Sequence, residues 1–342
     1  MKNNGFGNTK IYFGIEILRL LLCLWIVIAH CSVIKTEHKK YILRGFHVPT
    51  FILLSFVFYF PILKQRVISK IISRFQRLLI PYIFWPLLIL IINNILIDFF
   101  AIGQFPTKLS LCNFCIQIII AGSYHSIFWF QFNLIFISLL FTIISFIFKD
   151  KTLRIFIFFS IISFFFHISG LNYDTFKRFK NNYGKNMGSI IELIPIAVIG
   201  CVLKNQNFLI IIKNYSIYFR LILVFIIFML FKYDMFIYQK GFRYPDVLLD
   251  SVASIILFSL FGSLPFDKIK KQKFKYILSI MTKYTGGIYY IHTIFNGYFK
   301  RFSFYFKNGT YLSSFVIYII CYIFCFIGNK LFRNSKFKYL FM

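Results

Sequence analysis

A chain of 342 residues that is 59% hydrophobic and only 14% charged, with a mean hydropathy of +0.76, is too apolar for an ordinary soluble domain. Its net charge of +29 does not make it a nucleic-acid binder, because the lysines and arginines sit in short loops and build no continuous basic face. Charge placed in that way orients membrane spans and meets anionic lipid headgroups. The chain therefore reads as one all-α, polytopic integral-membrane domain over residues 1–342.

Ten apolar stretches are expected to span the membrane, at about 11–33, 46–63, 78–98, 127–148, 153–169, 188–203, 215–232, 246–264, 277–298 and 311–333. The first is too long for a signal-peptide core and has no small-residue cleavage site, so it should stay in the membrane. The loops on the side that would carry both termini hold the larger share of lysine and arginine, which places the termini in the cytoplasm.

The first span carries Glu16, Arg19, Cys23 and His30 among leucine, isoleucine, valine and tryptophan. From Arg19 to His30 is eleven residues, a net turn of about 20° and a rise of about 16 Å on an α-helix. These four side chains should form one polar stripe. A charged group inside a span is costly, so such a stripe faces a protein interior or a wet cavity.

The second span opens at Phe46-His47-Val48-Pro49, which sets His47 at the same membrane face as His30; proline in the first helical turn loses no needed hydrogen bond. Arg74 and Arg77 follow on the cytoplasmic side, three residues apart and so on one helical face. Two guanidinium forks in that arrangement suit a phosphate or pyrophosphate, and equally well an anchor for lipid headgroups. Trp129 begins the fourth span with His125 before it, at the outer face, where a tryptophan belongs to the interfacial belt. Glu192 and Lys283 are further costly groups with no partner legible in the sequence, and His292 lies inside the ninth span after Gly286-Gly287. Cys112 and Cys115 form a C-x-x-C without the second pair or histidine cluster that a metal site would need, so no metal is expected.

Four stretches, in this order, resemble acyltransferase family 3, the multi-span membrane O-acyltransferases that include O-antigen and polysaccharide acetylases. Arg19 followed by ten residues and His30 is similar to the family's R-x10-H. Val48-Pro49 through Ser55 is similar to its second-span pattern, Arg74-x-x-Arg77 with Pro81-Tyr82 to its cytoplasmic R-x-x-R, and Ile288-Tyr289-Tyr290-Ile291-His292 to its late Ile-Tyr-Leu-Ile-His. The chain departs from the pattern at Phe56, where glycine is usual, and at Gly286-Gly287, where serine is common.

The resemblance implies transfer of an acyl group, usually acetyl, from acetyl-CoA or another acyl-CoA to a hydroxyl of a cell-surface glycan or its lipid-linked sugar precursor. It implies His30 as general base, a role that histidine's ordinary pKa near 6.5 suits. It makes Arg19 its catalytic partner, Arg74 and Arg77 the grip on the coenzyme A phosphates, and Glu16, His47, Trp129 and His292 further substrate contacts. The location it implies is the inner or cytoplasmic membrane of a bacterium. The alternative from a different class is a transporter or flippase of a lipid-linked sugar, which would also place Arg, His and Glu within spans. The R-x-x-R pair tells the two apart, since a transporter has no need of a coenzyme A grip.

Overall fold

The computed structural model describes residues 13–31, 46–100, 129–168, 182–239, 246–264, 272–302 and 311–342. Among them all regular structure is helical. The helices are α1 Phe13–Cys31, α2 His47–Gln65, α3 Ile68–Phe100, α4 Trp129–Phe148, α5 Thr152–Ile168 and α6 Asn182–Asn205. They continue with α7 Phe208–Ile212, α8 Ile217–Gln239, α9 Asp246–Gly262, α10 Gln272–Lys283, α11 Thr285–Phe302 and α12 Tyr311–Leu331. A 3-10 turn at Lys336–Phe341 closes the chain.

Among the described residues, five stretches are long and apolar enough to cross a membrane: Phe13–His30, His47–Gln65, Ile68–Ile91, Trp129–His167 and Leu312–Leu331. The shorter apolar Val247–Gly262 joins them in a polytopic bundle. Large apolar side chains turn outward along α8, including Leu221, Phe225 and Phe228. That is stable only where the surroundings are lipid, because helices satisfy their backbone polar groups internally and need no water around them.

Each expected span overlaps a helix, with two differences at the boundaries. Helix α3 begins at Ile68, well before the expected start of the third span, and takes Arg74 and Arg77 into its first turns. The expected ninth span at 277–298 is broken at Tyr284 into α10 and α11. The twelve residues of α10 reach only about 18 Å and alternate lysines with Phe274, Ile277, Leu278 and Met281 at helical spacing. This is a short amphipathic helix, set off from α11 by the turn at Tyr284.

Two close approaches organise the packing. A Cβ at Gly200 would stand 2.5 Å from the Leu53 carbonyl oxygen and 3.3 Å from the Phe56 Cβ. Glycine on α6 therefore admits α2 with its fully buried Phe56, whose ring meets Phe141 edge-on at 5.0 Å. The small residue that the second span lacks at position 56 is supplied by α6. Helices α4 and α5 fold back on each other through Lys149, which adopts a left-handed φ of 45°, and Phe141 stacks on Phe156 at 4.0 Å. The acidic and the basic group that had no legible partner both have one: Glu192 meets His167 of α5 at 3.7 Å, and Lys283 donates to Asn329 of α12 at 2.8 Å.

Candidate active site

The polar stripe of α1 faces α11. Near the start of α1, Arg19 Nη1 meets Glu16 Oε2 at 3.1 Å, the i, i+3 spacing that puts both side chains on one face. Its Nη2 donates to Thr285 Oγ1 at 3.4 Å. One turn further, Cys23 Sγ donates to the Thr285 carbonyl at 3.5 Å. At the other end, Asn296 Nδ2 donates to the His30 carbonyl at 3.1 Å. The pairs 19–285 and 30–296 advance together, so α1 and α11 run parallel with their polar faces in register.

Three histidines gather at that far end. The rings of His30 and His292 lie 5.4 Å apart. His47 is buried, packs on Trp25 at 5.6 Å and lies within electrostatic reach of His30. His292 is fully buried, and its Nδ1 sits 3.1 Å from the Ile288 carbonyl oxygen. A carbonyl oxygen only accepts, so Nδ1 carries the hydrogen and Nε2 is the acceptor of the neutral ring.

Below the histidines lies a cavity of about 550 Å³, walled by α1, α2, α3, α4 and α11. Arg19, Arg74, Arg77 and Lys283 line it, with Glu16 as the acidic side chain among the lining residues. Its lining side chains therefore carry an excess of positive charge, which suits an anion. The four cations are not equivalent. Arg74 donates through Nη2 to Ser55 Oγ at 2.8 Å and to Ser138 Oγ at 3.1 Å, with its guanidinium 4.0 Å from the centre of the Tyr59 ring. Arg19 is held by Glu16 and Thr285. Arg77 is exposed, bonded to Ser73 within its own helix and set 6.0 Å from the Tyr339 ring centre.

The inner end of the cavity is aromatic. Phe51, Phe130 and Tyr289 line it; Phe130 meets Tyr289 edge-on at 5.4 Å, and Tyr289 in turn contacts His292 at 6.1 Å. The histidines stand one ring beyond the cavity lining. Gln131 braces this end by donating to the Leu78 carbonyl at 3.0 Å.

Of the residues expected from the sequence, Glu16, Arg19, Arg74 and Arg77 line the cavity, and His30, His47 and His292 cluster behind its aromatic end. Trp129 packs beside Phe130 at the start of α4; its neighbours Phe130 and Gln131 supply the lining instead. His125, Cys112 and Cys115 lie outside the described residues. Ser55, Gln131, Tyr289 and Lys283 were not expected in the site. They come from separate helices; Ser55 and Tyr289 lie in stretches that carry the family resemblance, Lys283 stood out by its charge, and Gln131 had no mark in advance.

No curated protein and no solved structure matches the chain. A family model described as an acyltransferase domain, the acyltransferase family 3 type, matches residues 12–341, and the chain belongs to that family.

Proposed function

We propose that this membrane acyltransferase moves an acetyl or other short acyl group from acyl-CoA to a hydroxyl of a cell-surface glycan or its lipid-linked precursor. The observation that carries the reading is the placement of a cationic cavity and a histidine cluster at opposite ends of one helical stripe. Arg19 and His30 are separated by about 16 Å of helix. That suits a donor with phosphates at one end of a long pantetheine arm and a thioester at the other.

In this reading Arg77, with Arg19 and Arg74 behind it, receives the phosphates by charge-assisted hydrogen bonds. The arm runs along the α1–α11 seam towards Tyr289. His30 accepts the proton of the acceptor hydroxyl as its oxygen bonds to the thioester carbon; the carbon–sulfur bond then breaks, and the coenzyme A thiolate leaves and takes up a proton. Histidine is the fitting base because it is substantially unprotonated near neutral pH yet basic enough to take that proton. His292, with Nε2 as acceptor and its ring against His30, helps to hold the hydroxyl. At 16 Å, Arg19 is too far to touch the same carbonyl, so its part is with the donor.

The experiment is release of coenzyme A thiol by the purified protein given acetyl-CoA and a hydroxylated glycan, with ester formation followed by mass spectrometry. Ester formed in step with thiol supports the reading. Sugar-lipid movement across a vesicle membrane with no thiol release would replace it with the transporter alternative.

A further inference from the structure

We propose that Lys283 is a phosphate-binding residue of this cavity, held beside Arg77 by Asn329 and the segment Lys336–Phe341. It rests on the acyl-CoA reading and adds a residue and a frame to it. All four cavity cations donate to protein groups, but Arg19 and Arg74 are half-buried, while Arg77 and Lys283 are the exposed ones. Lys283 ends α10 and donates through Nζ to Asn329 Oδ1 at 2.8 Å. Asn329 is buried in the last turn of α12, and its Nδ2 donates to the Lys338 carbonyl at 3.4 Å. The next residue, Tyr339, carries the ring that lies by the Arg77 guanidinium. Two consecutive residues of one segment thus brace both exposed cations.

That segment is itself firmly placed. Trp85 Nε1 donates to the Leu340 carbonyl at 3.2 Å, and Phe341 stacks on Phe332 at 5.8 Å. A Cβ on Gly287 would stand 2.8 Å from the Phe341 carbonyl carbon, so glycine there is what lets the segment lie against α11. The choice of an amide at position 329 matters chemically. Asn329 accepts one ammonium hydrogen without cancelling the charge, and leaves two donors for a ligand. Arg333 and Lys338 also lie within electrostatic reach of Lys283, which raises the local positive potential.

The test is binding of coenzyme A to purified protein in detergent, by calorimetry at low and high salt, with thermal melting of each variant. Lys283→Gln is expected to weaken binding about tenfold, the worth of one charge-assisted phosphate contact, and to do so less in high salt. Lys283→Arg should keep most of the affinity. The melting temperature gives the sharper result: glutamine keeps a donor for Asn329, so Lys283→Gln should melt near wild type while its coenzyme A affinity falls. A merely structural role would move both in the same direction. Unchanged affinity in Lys283→Gln, or affinity and stability falling together in that variant, would overturn the proposal. Failure of the wild-type protein to bind coenzyme A would remove the acyl-CoA reading, and this proposal with it.

Discussion

His30 and His292 face each other at 5.4 Å between ring centres, one from the first inserted helix and one from α11. Residues 262 positions apart in sequence meet there because α1 and α11 run parallel, with Thr285 against Cys23 and Asn296 against the His30 backbone. His292 is fixed by its bond to Ile288, whereas the side chain of His30 is only half-buried. The pair thus joins a fully buried ring at a backbone carbonyl to a part-exposed one. His292→Gln is expected to lower acyl transfer about tenfold, the scale of a positioning hydrogen bond, with coenzyme A binding unchanged. Loss of binding equal to the loss of turnover would place His292 in the donor site instead.

Arg74 and Arg77 should separate cleanly in a stability measurement. Truncating Arg74 strips Ser55 and the fully buried Ser138 of their donor and empties the space over Tyr59. Arg74→Ala should therefore lose about 2–3 kcal/mol of stability, visible as a lower melting temperature in detergent. Arg77→Ala, at an exposed site, should melt within about 0.5 kcal/mol of wild type and show its effect in the acetyl-CoA requirement. Equal melting of the two variants would mean that the buried network around Arg74 contributes nothing.

The stripe on α1 was legible in the sequence because polar and charged side chains repeated at helical spacing are too costly in lipid to persist without a cavity or a partner helix to face. The break at Tyr284 was not. Apolar residues continue through it, and only the lysines along α10 set that short helix apart from an apolar span. The remaining cavity walls were not legible as a site, although Ser55 and Tyr289 lie in stretches that carry the family resemblance. Ser55, Gln131 and Tyr289 are ordinary residues for membrane helices and become a site only when α2, α4 and α11 meet. Lys283 stood out by its charge, yet its partner Asn329 lies 46 residues further on, beyond any local pattern.

Gly200 carries the contact between α6 and α2. Gly200→Ala would drive a methyl group into the Leu53 carbonyl and towards Phe56, both held by backbone. The expected cost is about 1–3 kcal/mol from overpacking. Phe56→Ala instead empties a fully buried ring position and should cost about 3–5 kcal/mol. Because the two sites touch, the double variant should lose less than the sum of the single losses, the signature of coupled neighbours. Strict additivity in thermal or denaturant unfolding would show that Phe56 and Gly200 do not share this packing.

The measurement that bears most directly on the reaction is coenzyme A thiol release by His30→Gln protein, at saturating acetyl-CoA and glycan acceptor, beside its melting temperature and coenzyme A affinity. Glutamine keeps a hydrogen-bonding side chain but is too weak a base to take the hydroxyl proton. With His30 as the general base, turnover should fall about 10²–10⁴-fold, while melting and coenzyme A binding stay at wild-type values. Near-normal turnover in that folded variant would contradict the account.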